Sequence, residues 1–354
     1  MGEIANDVVE RYDELEAGRS TWKSHWEEIA DRILPRYANS MTSTDSSLTK
    51  GDKRTAEMLD STGGLALERF AAAMESMLTP RTQKWHRVVP SDPILAEDRD
   101  VKLWFEDTTN RLFRHRYAPK ANYASQQHEV YMGLGAFGTA IMFVDAHDVG
   151  GLRYQAVDLR ELLFENNHQG IVDTAYRKFS LTARQMQQRI DTKRWDSLPD
   201  AVMGSVEDKP EKRYDIIHCI RPRIEVESGK MDKRGKPFVS YYVCVDGHHL
   251  MSDDGILDTF SMKPGAVNPG GVSAEGRALV QALPVGNLAV GQELMDMERS
   301  VINDSFLVSL FQILVETPTM TATEVLERAR EKGALLSPTM GRQQSEMLGP
   351  MIER

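Results

Sequence analysis

Two histidines and two aspartates lie close together in the sequence and could form a metal site. His248, His249, Asp253 and Asp254 fall within seven positions, and imidazole and carboxylate groups are ordinary ligands of divalent metals. A metal-dependent enzyme, for instance a nuclease, is therefore one hypothesis for this chain. The same residues are also typical of a polar turn after a strand. We favour this interpretation and predict no metal site and no catalytic residues.

Three glycines have the spacing of a dinucleotide-binding loop. Gly133, Gly135 and Gly138 fit the pattern G-x-G-x-x-G, which binds pyrophosphate when a strand precedes it and a helix follows. Here the order is inverted, since helical HEVYM precedes and strand-like TAIMFVD follows. We therefore predict a turn from helix to strand that needs small residues, and no cofactor. The sequence also has no P-loop motif, so an ATP-driven motor is not indicated.

The net charge restricts the kind of partner that the chain can bind. Its 354 residues carry a formal net charge of −10 at pH 7. Because Lys and Arg supply much of the affinity for DNA phosphates, such a chain is not expected to grip DNA tightly. A conduit past which DNA slides is compatible with this charge.

The cysteines and the hydropathy pattern indicate the compartment. Cys219 and Cys244 both fall in apolar, strand-like runs, which predicts buried free thiols in a reducing compartment. The first residues lack the pattern of a secretory signal, and the longest apolar run, Phe306 to Val315, is too short for a bilayer. We therefore expect a cytosolic product with no membrane contact.

The first third of the sequence has helical periodicity. An amphipathic helix should occupy most of Thr55 to Trp85, with Leu65 among its apolar positions, and should end at Thr79 and Pro80 before an extended exit. Around it we predict four further helices, of which the second begins with a cap at Ser20 or Thr21 and the third has an inner face that includes Leu103, Trp104, Leu112 and Phe113. These helices are Glu3 to Glu16, Ser20 to Leu34, Glu97 to Tyr117 and Asn122 to Phe137.

From Gly138 the apolar period changes to that of strands. Four short β-branched or aromatic runs indicate a small antiparallel sheet: TAIMFVDA, LRYQAV, LLFENN and IVDTAYRKFS. A short helix is predicted at Leu181 to Ile190, and Trp195 to Lys212 has the prolines and charges of a linker or exposed loop. Tyr214 to Glu227 and Pro237 to Asp246 should then pair as a hairpin.

The last hundred residues combine a loop with long helices. Ser261 to Gly276 is rich in Gly and Pro, and Lys263 within it and Arg277 after it are either phosphate contacts or ordinary surface charges. A long helix follows at Leu288 to Val315. Its apolar side is predicted to hold Leu294, Met297, Val301, Phe306 and Leu310, and its opposite edge Glu293, Asp296, Arg299 and Asp304. By periodicity alone this is a core helix. Helical patterning resumes at Glu324 to Lys332 and at Gly341 to Arg354.

Several long phrases of the sequence resemble the portal, or head-to-tail connector, proteins of short-tailed double-stranded-DNA bacteriophages. The matching phrases include WEEIADRILPRY, LTPRTQKWHRVVP, MGLGAFGTAIMFVD, MKPGAVNPGG and MTATEVLERAR. The resemblance implies an α+β, portal-like subunit with a helical wing, small antiparallel sheets and a long channel-side helix, assembled as a dodecameric ring. It divides the chain into a wing region (1–180), a linker and β-hairpin region (181–251), a Gly/Pro loop with the stem or channel helix (252–316) and a helical wing or crown region (317–354).

The resemblance also implies a function and partners. The ring would stand at one capsid vertex and serve as the channel for genome packaging and ejection, without enzymatic activity. Its partners would be further copies of the chain, major capsid and scaffolding proteins, the terminase packaging motor, tail adaptor or nozzle proteins, and DNA in the channel. It would be found in the virion and, during assembly, in the host cytoplasm. The channel candidates are Lys263, Arg277, Glu293, Asp296, Arg299 and Asp304. A ring-shaped head or tail adaptor that does not line DNA is a further alternative.

The chain departs from this family pattern at one place. Family members usually carry tens of residues, including a stem helix, where Met251 and Ser252 are directly joined here. The last helical pattern also reaches Arg354 without a cap, so we expect sequence to continue beyond it.

Overall fold

The computed structural model describes residues 2–35, 58, 60–90, 92, 94–146, 150–223, 226, 235–256, 288–308 and 341–348. Within them the chain mixes helices with small antiparallel sheets, as the α+β class predicts. The α-helices are α1 (Gly2–Gly18), α2 (Ser20–Ile33), α3 (Thr62–Leu78), α4 (Arg99–Arg116), α5 (Tyr123–Phe137), α6 (Ala183–Asp191), α7 (Asp200–Asp208) and α8 (Leu288–Ser305). The strands are β1 (Ile141–Ala146), β2 (Leu152–Val157), β3 (Leu162–Asn166), β4 (Val172–Thr182), β5 (Arg213–Pro222), β6 (Phe238–Cys244) and β7 (His249–Ile256). The predicted Gly/Pro loop and the predicted helix at Glu324 to Lys332 lie outside the described residues.

Helices α3 and α5 form the centre of the helical part. Leu67, Phe70 and Met74 of α3 are buried with Tyr131 of α5 in one apolar cluster. Helix α3 ends as predicted, since the backbone N–H of Thr79 closes its last turn on the carbonyl of Glu75. The prediction for Leu65 was wrong, because this side chain is 58% exposed. Its position on the helix points away from the α5 contact.

The strands form two sheets rather than the one that the sequence suggested. Strands β1 and β2 pair only with each other, while the second sheet has the order β3-β4-β5-β6-β7, antiparallel throughout. The predicted hairpin is confirmed as β5 and β6. Between β2 and β3 the chain turns through a short 3-10 helix that begins where Asp158 accepts a hydrogen bond from the backbone N–H of Arg160. This turn separates the two sheets.

Helix α1 covers one face of the larger sheet. Its buried Val8, Val9 and Tyr12 lie in one cluster with Tyr176 of β4 and Ile217 of β5. Burial of large apolar side chains of this kind stabilises each by about 1.5–3 kcal/mol. The sheet is therefore held from one side by the first residues of the chain.

The segment predicted as a linker is instead part of the core. Trp195, Leu198 and Val202 are 3%, 7% and 0% exposed, and they pack with Met186 of α6 and Tyr214 of β5. Helix α7 was missed because the prolines and charges of the segment 195–212 indicated a loop. Within α7, the buried Val202 and the partly buried Val206 have the four-residue spacing of one helix face.

The predicted cap of α2 was also wrong. Neither Ser20 nor Thr21 caps α2; Arg19 occupies the N-cap position and makes no side-chain cap bond. Its guanidinium instead donates to the backbone carbonyls of Leu159 and Leu162, each at 2.5 Å. The Arg19 side chain is therefore used to join the start of α2 to the turn between the two sheets.

The predicted state of the two cysteines is confirmed. Cys219 and Cys244 are both buried free thiols. None of the helices in the described ranges is long and apolar enough to cross a bilayer.

Candidate channel helix and the surfaces around it

Helix α8 contains most of the predicted channel residues and is attached to α3. The Arg299 guanidinium donates from Nε to Oδ2 of Asp60, just before α3, at 2.8 Å, and from Nη1 to Oδ1 of Asp296 at 3.0 Å. Beyond Arg299, the half-buried Phe306 packs against the cluster formed by α3 and α5. One side of α8 is thereby fixed to the helical core.

The ion pair with Arg299 changes the titration of Asp60. Hydrogen bonds from Arg299, and then from Thr62, lower the pKa of Asp60 from 3.8 to about 2. The hydrogen bonds to Asp60 and then to Asp296 raise the pKa of Arg299. Both groups therefore remain charged across the physiological pH range.

The helical period gives α8 three different sides. Successive residues are turned by about 100°, so the side that carries Arg299 faces α3; Phe306, the first residue after the helix, packs against the same core. The next side carries Glu293, Asp296 and Asp304. The third side, adjacent to the acidic one, carries Met297 and Val301.

The channel candidates therefore have different environments. The side chain of Asp296 is 72% exposed and Asp304 is also exposed, whereas Arg299 is engaged by Asp60. Glu293 lies within α8, but its side chain is outside the described set. Lys263 and Arg277 lie outside the described residues altogether.

The predicted apolar side of α8 does not lie in the core of this subunit. Met297 and Val301 are 69% and 65% exposed, so their prediction as inward-facing residues of a core helix was wrong for the single chain. Phe306 does pack inward, because it lies on the side that faces α3. The four-residue spacing of Met297 and Val301 predicts an apolar stripe on the helix. It does not predict which surface would cover that stripe.

Helix α4 presents a similar discrepancy. Leu103 and Trp104, predicted on its inner face, are 54% and 61% exposed. Leu112 and Phe113 are half-buried, and the only buried residues of α4 are Thr109 and Arg116. The first half of α4 therefore projects from the core, beginning at the Asp98 carboxylate, which accepts hydrogen bonds from two backbone N–H groups of its first turn.

A buried arginine anchors the other end of α4, and the sequence did not predict it. Arg116 is 1% exposed; its Nε donates to the hydroxyl of Tyr154 at 3.3 Å and its Nη1 lies 3.1 Å from the His86 ring. The guanidinium also lies over the ring of Trp85, 4.8 Å from its centre. Burial, followed by the charge of Arg116, lowers the pKa of His86 from 6.5 to about 4. The segment 81–87, with the sequence RTQKWHR, is thereby attached to α4.

The glycine motif does not form a nucleotide site. Gly133 and Gly135 lie inside α5, and Gly138 ends that helix with φ of 72° before β1 begins. The predicted order of helix and strand is confirmed. Gly135 is needed for packing, since a Cβ atom there would lie 2.6 Å from Cδ1 of Leu67.

The described side chains among the residues considered as metal ligands have separate protein partners. His248 lies in the turn before β7 and its ring contacts a side-chain amide oxygen of α1, while Nε2 of His249 is 2.9 Å from the hydroxyl of Ser197. Oδ1 of Asp253, in β7, is 3.6 Å from Nη2 of Arg223, and the side chain of Asp254 lies outside the described set. Among the residues that the structure describes, no group of three or more His, Cys, Asp or Glu could hold a metal ion. The predicted polar turn is correct for His248 alone.

Comparison with known proteins assigns this chain to a family. The family model for the bacteriophage head to tail connecting protein matches residues 5–260 and 250–354. The chain is similar to the "Portal protein" of Salmonella phage epsilon15, with 26% identity over 414 positions, and to the "Probable portal protein" of Bordetella phage BPP-1, with 29% identity over 413 positions. Each alignment covers 98% of this chain and 73% of the relative.

The alignments also show that the relatives carry residues that this chain lacks. Both alignments extend over more positions than the 354 residues of this chain. The family match divides at residues 250–260, at β7. In that strand Met251 is the extra residue of a β-bulge between the pairs Val243–Leu250 and Tyr242–Ser252. The division falls at the position where the resemblance led us to expect a departure from the family pattern.

Proposed function

Because this chain belongs to the family of bacteriophage head to tail connecting proteins, we propose that it is the subunit of a dodecameric portal ring at one capsid vertex. The ring is the channel through which the genome enters during packaging and leaves during ejection. The observation that carries this proposal is the family match along nearly the whole chain, in two segments that together span residues 5–354.

The acidic side of α8 supports a place beside the DNA. Asp296 and Asp304 are exposed on one side of a helix whose neighbouring side is attached to α3. Carboxylates release no counterions from DNA, so a wall lined by them does not bind the phosphate backbone. Repulsion from a ring of such side chains keeps the duplex centred and mobile. Glu293 would extend the same acidic side, and Lys263 and Arg277 would add local phosphate contacts.

The role is structural rather than enzymatic. The rival hypothesis of a metal-dependent nuclease relied on His248, His249, Asp253 and Asp254, and those of their side chains that the structure describes have different protein partners. Packaging is then driven by a separate terminase motor docked on the ring. Capsid, scaffolding and tail adaptor or nozzle proteins are the remaining partners, in the virion and, during assembly, in the host cytoplasm.

A first experiment measures the mass of the native assembly and records its top view by electron microscopy. A closed ring of about twelve subunits with a hole wide enough for duplex DNA is expected. Protein that remains monomeric or dimeric under all conditions, and that is missing from purified particles, would overturn the proposal.

A second experiment tests the acidic side of α8. The double variant Asp296→Lys and Asp304→Lys is expected to form rings but to slow DNA translocation, since the lysines bind phosphates. The matched control is Glu207→Lys and Asp208→Lys, which makes the same charge change at exposed positions of α7. Unaltered packaging by the first variant would favour a ring-shaped adaptor that does not line DNA.

A further inference from the structure

Two helical surfaces of this subunit expose large apolar side chains at positions that periodicity assigns to an inner face. The α4 surface comprises Leu103 and Trp104, and the α8 stripe comprises Met297 and Val301; all four side chains are more than half exposed. An apolar helix face of this kind is stable when another surface covers it. Within the part of the chain that the structure describes, neither surface is covered.

The α8 stripe lies next to the proposed channel side of its helix. By helical period, Met297 and Val301 lie between the side with Asp296 and Asp304 and a further carboxylate, Glu298. In a closed ring, the surface of a subunit that faces the axis adjoins the surface that meets the neighbouring subunit. Around α8 the acidic side and the α8 stripe are neighbours in the same way, so one could face the axis while the other meets the next subunit.

The α4 surface is basic toward the C-terminal end of the helix. On the same side of α4 as Leu103 and Trp104, the helical period places Asp100 and Asp107 in the first half and the exposed Arg111 and Arg114 in the second half. Arg111 is paired with Asp107 at 2.6 Å, one turn before it. This end of α4 also adjoins the phrase RTQKWHR, which contributes three further basic residues.

The two regions are opposite in charge. Between positions 81 and 120 the sequence has nine Lys or Arg and six Asp or Glu, whereas α8 has four acidic residues and one arginine. The excess of basic residues is notable in a chain with net charge −10. Each surface therefore combines an apolar centre with a charged rim, and the rims attract each other.

We propose that the α4 surface of one copy packs against the α8 stripe of the next copy in the ring. This inference rests on the proposed portal function, because a ring requires a head-to-tail contact between two different surfaces of the same chain. A protein partner fits these surfaces better than DNA does. Trp, Met and Arg are enriched in protein interfaces, and the acidic rim of α8 repels phosphates.

The test uses two variants that each destroy one surface. Variant A carries Leu103→Asp and Trp104→Asp, and variant B carries Met297→Asp and Val301→Asp. Neither is expected to close a ring alone. When mixed in equal amounts they should form a dimer of one A and one B, and nothing larger, because B retains its α4 surface and A its α8 stripe. Native mass spectrometry distinguishes this dimer from monomers and rings.

Three controls make the outcome decisive. Met203→Asp places a carboxylate of the same kind at a 50% exposed apolar position of α7 and should leave rings intact. Formation of the mixed dimer itself shows that both variants are folded, and circular dichroism checks the unmixed ones. The wild-type ring, measured alongside, tests the proposed function separately from the interface.

The remaining outcomes overturn the inference. If A and B each still form rings, the surfaces do not make the subunit contact, while the portal function stands. If both fail alone and no dimer forms on mixing although both are folded, the contact is not between these two surfaces. If variant A forms rings but no longer binds DNA or another phage protein, the α4 surface belongs to that partner instead.

Discussion

Arg299 and Asp60 join the proposed channel helix to the start of α3 across 239 positions of sequence, with 2.8 Å between Nε and Oδ2. The sequence placed Arg299 on an edge with Glu293, Asp296 and Asp304. The contact instead directs its guanidinium toward the core helix, while the exposed Asp296 accepts its second hydrogen bond. The pair therefore determines which side of α8 is turned toward α3.

Breaking this pair should loosen α8 without unfolding the subunit. We expect Arg299→Gln to increase hydrogen exchange of α8 amides at pH 7, measured by mass spectrometry, and to leave α5 unchanged. Both side chains are substantially exposed, so only a small change in global stability is expected. The control Arg111→Gln breaks the exposed Arg111–Asp107 pair within α4 and should not affect α8.

The same pair predicts an acid dependence. Because the folded pKa of Asp60 is lowered from 3.8 to about 2, its contribution to stability is present above pH 3.8 and is lost as pH falls toward 2. Protection of α8, corrected for intrinsic exchange rates, should decrease over this range in the wild type more than in Arg299→Gln. Identical profiles for both proteins would show that the pair is not formed in solution.

Gly135 should not tolerate even one added methyl group. In Gly135→Ala, the new Cβ would lie 2.6 Å from Cδ1 of the fully buried Leu67 and 3.0 Å from Cδ1 of Phe70. Overpacking of a core costs about 1–3 kcal/mol, against a gain of about 1 kcal/mol in helix propensity. We expect the free energy of unfolding in urea to fall.

Gly204 in α7 provides the matched control for this substitution. A Cβ at Gly204 would have no atom within 4 Å, so Gly204→Ala should be neutral or stabilise by up to about 1 kcal/mol. Equal effects of the two substitutions would mean that the packing of α5 against α3 leaves room for a methyl group at Gly135.

His86 should make the protein sensitive to mild acid. Its folded pKa of about 4 lies below the ordinary value of 6.5, so the unfolded chain binds the proton first. The contribution of the neutral His86 side chain to the free energy of unfolding is fully present above pH 6.5 and is lost as pH falls from 6.5 to 4. In His86→Gln, the side-chain carbonyl can still accept from Arg116, and the decrease in the urea midpoint over this range should be smaller.

The exposed His115 on α4 is the comparison for His86. His115→Gln removes an exposed imidazole from the same helix and is measured alongside His86→Gln. If His86→Gln does not differ from it, the titration of His86 is not coupled to folding.

The two thiols should be unreactive in the folded protein. Burial raises the pKa of Cys219 to about 12 and that of Cys244 to about 11, and the thiolate is the reactive form. A disulfide reagent at pH 8 should label neither residue until urea unfolds the chain. Met203→Cys, at a half-exposed position, should react at once and serves as the positive control. Rapid labelling of the wild type would show that the sheet opens in the native state.

The sequence by itself determined the local structure wherever periodicity was strong. Helix α3 and its end at Thr79, the hairpin of β5 and β6, and the helix-to-strand turn at Gly138 were predicted from apolar spacing and turn residues. The family resemblance, which depends on long ordered phrases, was confirmed by the family match. These features depend on neighbours in sequence, and local residue types therefore suffice.

The tertiary structure decided what each apolar face contacts. Trp195 and Val202 are buried in a segment that composition assigns to a loop, because neighbouring elements cover them. Leu103, Trp104, Met297 and Val301 are exposed although their spacing predicts an inner face. Periodicity specifies that a helix has an apolar side, but its partner is set by contacts distant in sequence. The attachment of α8 to α3 through Arg299 and Asp60 is such a contact, and it separates the acidic side of α8 from its apolar stripe.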